Sequence, residues 1–142
     1  MAVPPRITFV TLACRDVERM ADFLRAFGWP EAPSSEPVHR VFQLTNGVVV
    51  GLYGAEHYEP SEGPLADGFR GYTLAVNLAT PAEVDAAHET LRGVGGVVGL
   101  EDPQDMPWGG RGFSFHDPEG NVWDVVWAAG TTIDERGGLT FP

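Results

Sequence analysis

One carboxylate stands among large apolar side chains near the end of this chain. Residues 117–127 read DPEGNVWDVVW, a turn followed by a strand that carries Asp124. A carboxylate in such surroundings is costly to leave unpaired, so it is expected to bind a metal, to move a proton, or to meet a polar or cationic partner. Asp124 is therefore the first residue to which chemistry can be assigned.

The other side chains suited to metal binding or nucleophilic attack are scattered. The chain has four histidines and one cysteine: His39, His57, His88, His116 and Cys14. No HxH or HxxxH spacing occurs among the histidines, which predicts ordinary surface or partly buried roles; His116 could at most bond to the adjacent turn. Cys14 lies in the apolar pattern VTLAC and is predicted to be a small buried hydrophobe.

Charge and length restrict the class of protein. Nine Lys and Arg against twenty Asp and Glu give a net charge of −11, which repels phosphate backbones and argues against nucleic acid as a partner. A cationic small molecule would be attracted, although most of these acids are expected on a solvated surface. The 142 residues suit one domain. With no secretion signal and no apolar run near the roughly 20 residues that span a bilayer, we expect a soluble, cytoplasmic protein without a membrane partner.

The elements that position Asp124 belong to an internal repeat. At an offset of 64 residues, segment 9–27 aligns with segment 73–91. Each copy opens with an alternating strand whose apolar residues point one way. These residues are Val10, Leu12 and Cys14 in the first copy, and Leu74, Val76 and Leu78 in the second.

Each strand is followed by a predicted helix. Asp16 is a good N-cap for the first helix, and residues 80–83, Thr-Pro-Ala-Glu, form a capping box for the second. Apolar stripes predict that both helices cover a sheet. The stripes consist of Met20, Phe23, Leu24 and Phe27, and more weakly of Val84, Ala87 and Leu91.

Paired strands around a turn close each copy. Asn46-Gly47 is a hairpin signal, and residues 117–120, Asp-Pro-Glu-Gly, suit a tight turn. The order is strand, helix, two or three strands, twice over. It predicts a single α+β domain of two βαβββ modules in pseudo-twofold repeat. The predicted bounds are about 6–59 for module one, about 60–70 for the linker, about 71–127 for module two and 128–142 for a C-terminal tail.

A module with one helix leaves the other face of its sheet uncovered, and the second copy is the obvious cover. We therefore expect a curved, cupped mixed sheet or barrel with the helices outside. The residues that alternate away from the helices should line the concavity. They are Phe9, Thr11 and Ala13 in the first copy, and Thr73, Ala75 and Asn77 in the second.

The repeat, the PWGGR segment at 107–111 and the following FSFHDPEGNVWDVV resemble the vicinal oxygen chelate superfamily of glyoxalases, bleomycin-resistance proteins and extradiol dioxygenases. The resemblance covers about residues 6–127. The DPxGN turn followed by Trp and an acid is its most specific part. The superfamily includes both enzymes and non-enzymatic binders, so function has to be carried over residue by residue.

The resemblance implies four positions at which metal-using members place ligands. Here those positions hold Phe9, Gly51, Thr73 and Asp124. Phe9 and Gly51 have no donor and Thr73 offers a neutral hydroxyl, so a lone carboxylate remains. We therefore expect no metal and no cofactor, because tight binding of a divalent ion needs several converging donors.

What the resemblance leaves is an apolar, aromatic pocket. Phe9 and Tyr53 would form its floor, Trp108 and either Phe113 or Phe115 a wall, and Asp124 would lie opposite Thr73 with Arg111 as an internal partner. Phe9 suits equally a barrel filled by its own side chains. Trp123 and Trp127 are expected to face a helix. The predicted ligand-binding residues are Phe9, Thr11, Tyr53, Thr73, Trp108, Arg111, Phe113 and Asp124.

Three functional hypotheses follow. The first is a metal-independent binding protein, similar to bleomycin-resistance and drug-sequestering members, that buries an aromatic or cationic small molecule and is a homodimer by the same resemblance. The second is a glyoxalase-like lyase or isomerase, or a dioxygenase, with Asp124 as acid or base or with unorthodox metal ligands. The third is a regulatory or interaction partner with a vestigial cavity.

Overall fold

The strands and helices of the repeat form two sheets in the computed structural model, which describes residues 3–142. The chain divides into two compact units, residues 1–65 and residues 66–142, here named unit 1 and unit 2. The division falls inside the segment 60–70 that the sequence predicts as a linker.

Unit 1 contains a three-stranded sheet in the order β1-β3-β2. Strand β3 pairs parallel with β1 and antiparallel with β2. A bridge between Glu31 and Phe42 lies at the outer side of β2. The elements are β1 (Phe9–Cys14), α1 (Val17–Ala26), β2 (His39–Gln43), β3 (Val49–Gly54), a 3-10 turn (Ala55–His57) and α2 (Glu59–Glu62).

Unit 2 contains a four-stranded sheet in the order β4-β7-β6-β5. Strand β7 pairs parallel with β4 and antiparallel with β6. The elements are β4 (Thr73–Asn77), α3 (Pro81–Leu91), β5 (Gln104–Met106), β6 (Gly110–His116) and β7 (Val122–Ala128). The segment predicted as a tail contains a small antiparallel hairpin of β8 (Thr132–Ile133) and β9 (Leu139–Thr140).

The same connectivity in both units confirms the predicted α+β fold of repeated modules. Strand β3 pairs parallel with β1 and antiparallel with β2, as β7 pairs parallel with β4 and antiparallel with β6. The sheet of unit 1 has one strand fewer than the predicted module, because unit 1 has the bridge between Glu31 and Phe42 where unit 2 has β5.

The helix caps also lie where they were predicted. Asp16 accepts a hydrogen bond from the Arg19 amide at 3.0 Å, and Thr80 accepts one from the Glu83 amide at 3.2 Å while the Glu83 carboxylate accepts from the Ala79 amide.

Each helix packs an apolar stripe on its sheet. Met20, Phe23 and Leu24 of α1 are buried, and so are Val84 and Leu91 of α3. Helix α1 packs on β2 and β3, and α3 packs on β6 and β7. This burial accounts for most of the stability of such short helices, because isolated helices of this length are marginal in water. Cys14 is buried, as predicted.

The turn before β7 is organised around a buried carboxylate. Asp117 is 2% exposed and accepts four hydrogen bonds, from the amides of Glu119 and Asn121, the Asn121 side chain and the Trp123 indole, at 2.9 to 3.0 Å. Asn121 in turn accepts from the Tyr72 hydroxyl at 2.6 Å. The aspartate of the DPEGN signature therefore holds the turn that begins β7, and with it the position of Asp124.

None of the helices within residues 3–142 combines the length and the apolar run that crossing a bilayer requires.

Candidate functional site

The Asp124 side chain lies on the face of the unit 2 sheet that points away from α3. Phe113 of β6 contacts His88 of α3, with ring centres 5.2 Å apart, so Phe113 faces the helix. Neighbouring residues of a strand point to opposite faces, which places Ser114 on the other one. Asp124 pairs directly with Ser114 across the β6–β7 ladder and therefore shares that face.

This face contains a cavity of about 650 Å³. Its lining mixes large apolar side chains with a few polar groups. The residues that matter for binding are Asn77, Met106, Trp108, Ser114, Asp124 and Phe141. Asn77 and its neighbour Ala75 lie where the alternation of β4 predicts, on the face away from the helix.

Ser114 holds one oxygen of the Asp124 carboxylate. Its hydroxyl donates to Asp124 Oδ1 at 2.5 Å. Within residues 3–142, no side chain donates to the other oxygen, Oδ2, and no buried side-chain polar atom lacks a partner there. Oδ2 is therefore accessible, and a bound molecule could donate to it.

Trp108 borders the same cavity and is 62% exposed. Two glycines of the PWGG loop hold it there. Gly109 has a φ of +95°, which favours glycine, and a side chain on Gly110 would collide with the Trp108 ring and come within 2.7 Å of the Trp127 carbonyl oxygen. The loop thus brings the indole close to the backbone at the start of β6.

Arg111 does not pair with Asp124 as the sequence suggested. Its guanidinium donates to Asp85 Oδ1 at 2.8 and 3.0 Å and to Asp105 Oδ1 at 3.1 Å. These bonds, that to Asp85 first, hold the pKa of Arg111 above its usual value. The reason is strand alternation: residues 111 and 114 of β6 face opposite ways, so Arg111 lies on the helix side.

The predicted aromatic wall also belongs mainly to the core. Phe113 borders the cavity, but it is 3% exposed and packs edge-on against His88. Phe115 is buried and stacks on Trp123, with ring centres 6.0 Å apart, so the alternative of Phe115 as a wall is wrong. Trp123 was expected to face a helix, and its pairing with Phe115 places it on the side of the sheet that faces α3.

Thr73 does not lie opposite Asp124. It pairs with Val122, whereas Asp124 pairs with Ala75, two residues further along β4. Thr73 is exposed and is not among the residues that line the cavity. The error came from assigning the two residues to opposite walls, whereas β4 and β7 are adjacent strands of one sheet.

The face of the unit 1 sheet that carries Phe9 holds a row of rings. His39 lies between Phe9 and Tyr53, with ring centres 6.2 and 5.3 Å away, and Tyr53 stacks on His57 at 4.2 Å. We call these four residues the unit 1 ring cluster. Tyr53 and Phe9 thus share a face, as the sequence suggested, while the two histidines had been predicted to be ordinary.

Gly51 is covered by this ring cluster. A side chain there would come within 2.7 Å of the Phe9 ring and 3.0 Å of His39 Nε2. Thr11 pairs with Gly51 and is exposed. Of the four positions that the resemblance implies as metal-ligand positions, the one at Gly51 therefore has no side chain and is covered by the Phe9 and His39 rings.

The donor set at those four positions does not fit a divalent ion. Phe9 and Gly51 offer no donor atom, and Asp124 already shares one oxygen with Ser114. Among residues 3–142, no group of three or more His, Cys, Asp or Glu side chains is placed to hold a metal.

Sequence reasoning missed four residues that the structure brings into these two faces. His39 and His57 join the unit 1 ring cluster, and Ser114 and Phe141 line the unit 2 cavity. Ser114 was missed because five residues, 117–121, separate the last pair of the ladder, His116 and Val122, whereas a loop of the four predicted turn residues would pair Asp124 with Phe113. Nothing local in the sequence indicated Phe141, because its place depends on the path of the chain after β7.

A family model decides the identity of the fold. The model for the Glyoxalase/Bleomycin resistance protein/Dioxygenase superfamily matches residues 6–125. The chain belongs to this superfamily. The match extends from just before β1 into β7 and ends one residue beyond Asp124.

Solved structures of superfamily proteins are similar over nearly the whole chain. A glyoxalase-related enzyme from Fulvimarina pelagi is 25% identical with a TM-score of 0.82, covering 97% of this chain and 99% of that one. A glyoxalase/bleomycin resistance protein/dioxygenase from Nocardioides is 28% identical with a TM-score of 0.74, covering 94% and 90%.

A lactoylglutathione lyase from Agrobacterium tumefaciens, 18% identical with a TM-score of 0.68 and covering 88% of this chain and 95% of that one, shares the fold. A comparison with curated proteins finds no significant match.

Proposed function

We propose that this superfamily member binds a small aromatic molecule, neutral or cationic, without using a metal, in the manner of the bleomycin-resistance and drug-sequestering members. The observation that carries the proposal is the unit 2 cavity, which is lined both by Asp124, with its accessible carboxylate oxygen, and by the Trp108 indole. An aromatic surface and one oriented acceptor are the two parts that such recognition needs.

The size and lining of the cavity support this function. About 650 Å³ lies within the range of roughly 300–1,000 Å³ typical of small-molecule sites. Met106 and Trp108 offer apolar and aromatic surface, while Asn77 adds a polar group that can donate and accept. The ligand would gain affinity from buried area and orientation from the polar groups.

Charge favours a cation among aromatic ligands. The net charge of −11 raises the local concentration of positively charged molecules around the protein. At the site itself, Asp124 Oδ2 can accept a hydrogen bond from an ammonium or amidinium group, and such charge-assisted bonds are the strong ones. The Trp108 face can add a cation–π contribution of about 0.5–2 kcal/mol.

The unit 1 ring cluster supplies a second aromatic surface. Phe9 is 45% exposed, and Tyr53 stacks on His57, so flat rings are presented on the face away from α1. We include Phe9, Thr11 and Tyr53 among the ligand-binding residues on this ground. Each side chain offers either a ring face or a hydroxyl to a bound molecule.

Tryptophan fluorescence tests the proposal. Titrating the protein with a panel of planar aromatic compounds, cationic and neutral, should give a saturable change for at least one of them. Because Trp108 is exposed whereas Trp123 is buried, Trp108→Phe should remove most of the change. A panel that leaves the emission of the protein unaltered at all concentrations would contradict the proposal.

The alternative is a lyase or isomerase that uses Asp124 as general base. It is favoured by the contact between Asp124 and Ser114, in which the serine orients the carboxylate and leaves Oδ2 accessible for proton transfer. One structural neighbour is named a lactoylglutathione lyase, so the reaction to assay is the interconversion of a hemithioacetal and an α-hydroxythioester. Turnover by the wild type that is lost in Asp124→Asn would favour the enzyme. Stoichiometric metal in the purified protein would overturn metal-independent binding.

We further propose that the protein is a homodimer, as the superfamily resemblance implies, and that it is cytoplasmic, as the sequence analysis led us to expect. Light scattering of the purified chain over a range of concentrations measures the oligomeric state. A mass equal to one chain at all concentrations would contradict the homodimer.

A further inference from the structure

The hairpin at the end of unit 2 places a phenylalanine at the cavity that holds Asp124. Strands β8 and β9 pair with Thr132 opposite Thr140, and Phe141 follows directly. Phe141 lines the same cavity as Trp108, and the two side chains are 70% and 62% exposed. Both rings therefore present apolar area that a bound aromatic molecule would cover.

Specific hydrogen bonds build the turn of this hairpin. Asp134 Oδ1 accepts from the amides of Arg136 and Gly138 at 2.9 and 2.8 Å, and the Asp134 amide donates to the Gly138 carbonyl at 2.9 Å. At its base, the Thr131 hydroxyl donates to the Ala128 carbonyl at 2.7 Å, which ties the hairpin to the end of β7. These bonds define the path by which the chain returns toward the cavity.

The hairpin as a whole is nevertheless weakly held. Each of its strands has two residues, and so short a two-stranded ribbon is marginal in water. Leu139, Thr140 and Phe141 are all exposed. Elements with few buried contacts open at low free-energy cost, so the hairpin can move while the sheet of unit 2 stays in place.

We propose that the β8–β9 hairpin is a flap whose Phe141 closes on a planar aromatic ring bound beside Trp108. The inference rests on the proposed function of the same cavity and adds a specificity-determining residue to it. Two aromatic side chains that contact a ligand together select a flat molecule, because offset stacking and edge-to-face contact both need a ring at van der Waals distance. The ligand class is a fused planar aromatic that carries a positive charge toward Asp124.

Binding of 9-aminoacridine, a planar cation, to the full chain tests the flap. Polarisation of the fluorescence of the dye reports binding without relying on the tryptophans of the protein. Phe141→Ala should weaken binding about five- to tenfold, which is the loss of one aromatic contact. Phe141→Tyr keeps the ring and should bind like the wild type. Phe69→Ala is the matched control, since Phe69 is equally exposed, at 70%, but does not line the cavity.

Hydrogen exchange gives a second, independent readout. The amides of Asp134 and Gly138 should exchange more slowly when the dye is bound to the wild type or to Phe141→Tyr, and should be unchanged by the dye in Phe141→Ala. If Phe141→Ala fails to fold by circular dichroism, Phe141→Leu replaces it, with the same expected loss, because leucine keeps apolar volume without a ring.

The outcomes separate the two proposals. Saturable dye binding that is equal in wild type, Phe141→Ala and Phe69→Ala would overturn the flap and leave the proposed function standing. No saturable binding to the wild type by this dye or by the wider aromatic panel would overturn both.

Discussion

Ser114 lies directly across the β6–β7 ladder from Asp124 and donates a hydrogen bond to its carboxylate. One oxygen of the carboxylate is thereby fixed within the protein, while the other remains accessible to a bound molecule. This pairing is what makes Asp124 an oriented acceptor instead of a freely rotating surface acid.

The first prediction follows from that orientation. Asp124→Asn keeps the shape of the side chain but removes its charge, so binding of a planar cation such as 9-aminoacridine should weaken about tenfold, or about 1.4 kcal/mol. Binding of acridine in mildly alkaline buffer, where that dye is neutral, should change little. Asp102→Asn, which removes an acid that is fully exposed outside the cavity, is the control. Equal losses for both dyes would show that Asp124 acts through packing and not through charge.

The second prediction concerns the buried turn. Asp117→Asn should lower the free energy of unfolding by about 2–3 kcal/mol, because an amide has one acceptor oxygen where the carboxylate accepts four hydrogen bonds. Chemical denaturation followed by far-ultraviolet circular dichroism measures the loss. A change of a few tenths of a kcal/mol would show that the four bonds contribute little in sum.

The third prediction tests the packing of the unit 1 ring cluster. Gly51→Ala should destabilise the protein by about 0.5–1.5 kcal/mol, since the added methyl group would come within 2.7 Å of the Phe9 ring, and this partly exposed side chain must leave its preferred rotamer to make room. The cost should fall in the double variant with Phe9→Ala, where that ring is absent. Gly95→Ala is the control, because nothing lies within 4 Å of the position that its side chain would occupy. Additive effects of Gly51→Ala and Phe9→Ala would contradict the contact.

The fourth prediction is a pH dependence. The Ser35 hydroxyl, first, and then Arg25 lower the pKa of Glu31 from its ordinary value of 4.5. Because the folded pKa is the lower one, the stabilising contribution of Glu31 is fully present above about pH 4.5 and is lost as the pH falls through the folded value. Glu31→Gln should therefore reduce the acid dependence of the melting temperature in that window. A variant with the same acid dependence as the wild type would contradict the assignment.

The sequence predicted the fold well because its signals are local and repeated. Alternation in β1 and β4, the caps at Asp16 and Thr80 and the turns all depend on residues within one or two turns of chain. The face that carries Ala75, Asn77 and Asp124 followed from the same alternation. These features fix secondary structure, and their duplication fixes the strand order of each unit.

The side-chain partners needed more than alternation. Arg111 was assigned to Asp124, but its place in β6 points it toward Asp85 of α3. The His39–Tyr53 contact depends on which residues of β2 and β3 pair with each other, and the hairpin turn alone does not determine this register. Contacts between elements depend on which residues come opposite one another, and one step of register moves a side chain to the other face.

The sequence by itself determined that this chain repeats the order strand, helix, two or three strands, that its acids far outnumber its bases, and that Asp124 follows the DPEGN turn on a strand. Only the tertiary structure decided that Ser114 holds that carboxylate, that rings cover Gly51, and that the chain after β7 returns to bring Phe141 to the cavity. The physical reason is separation along the chain: periodicity and capping act between near neighbours, whereas a binding surface is assembled from residues that become neighbours only when the sheet has formed.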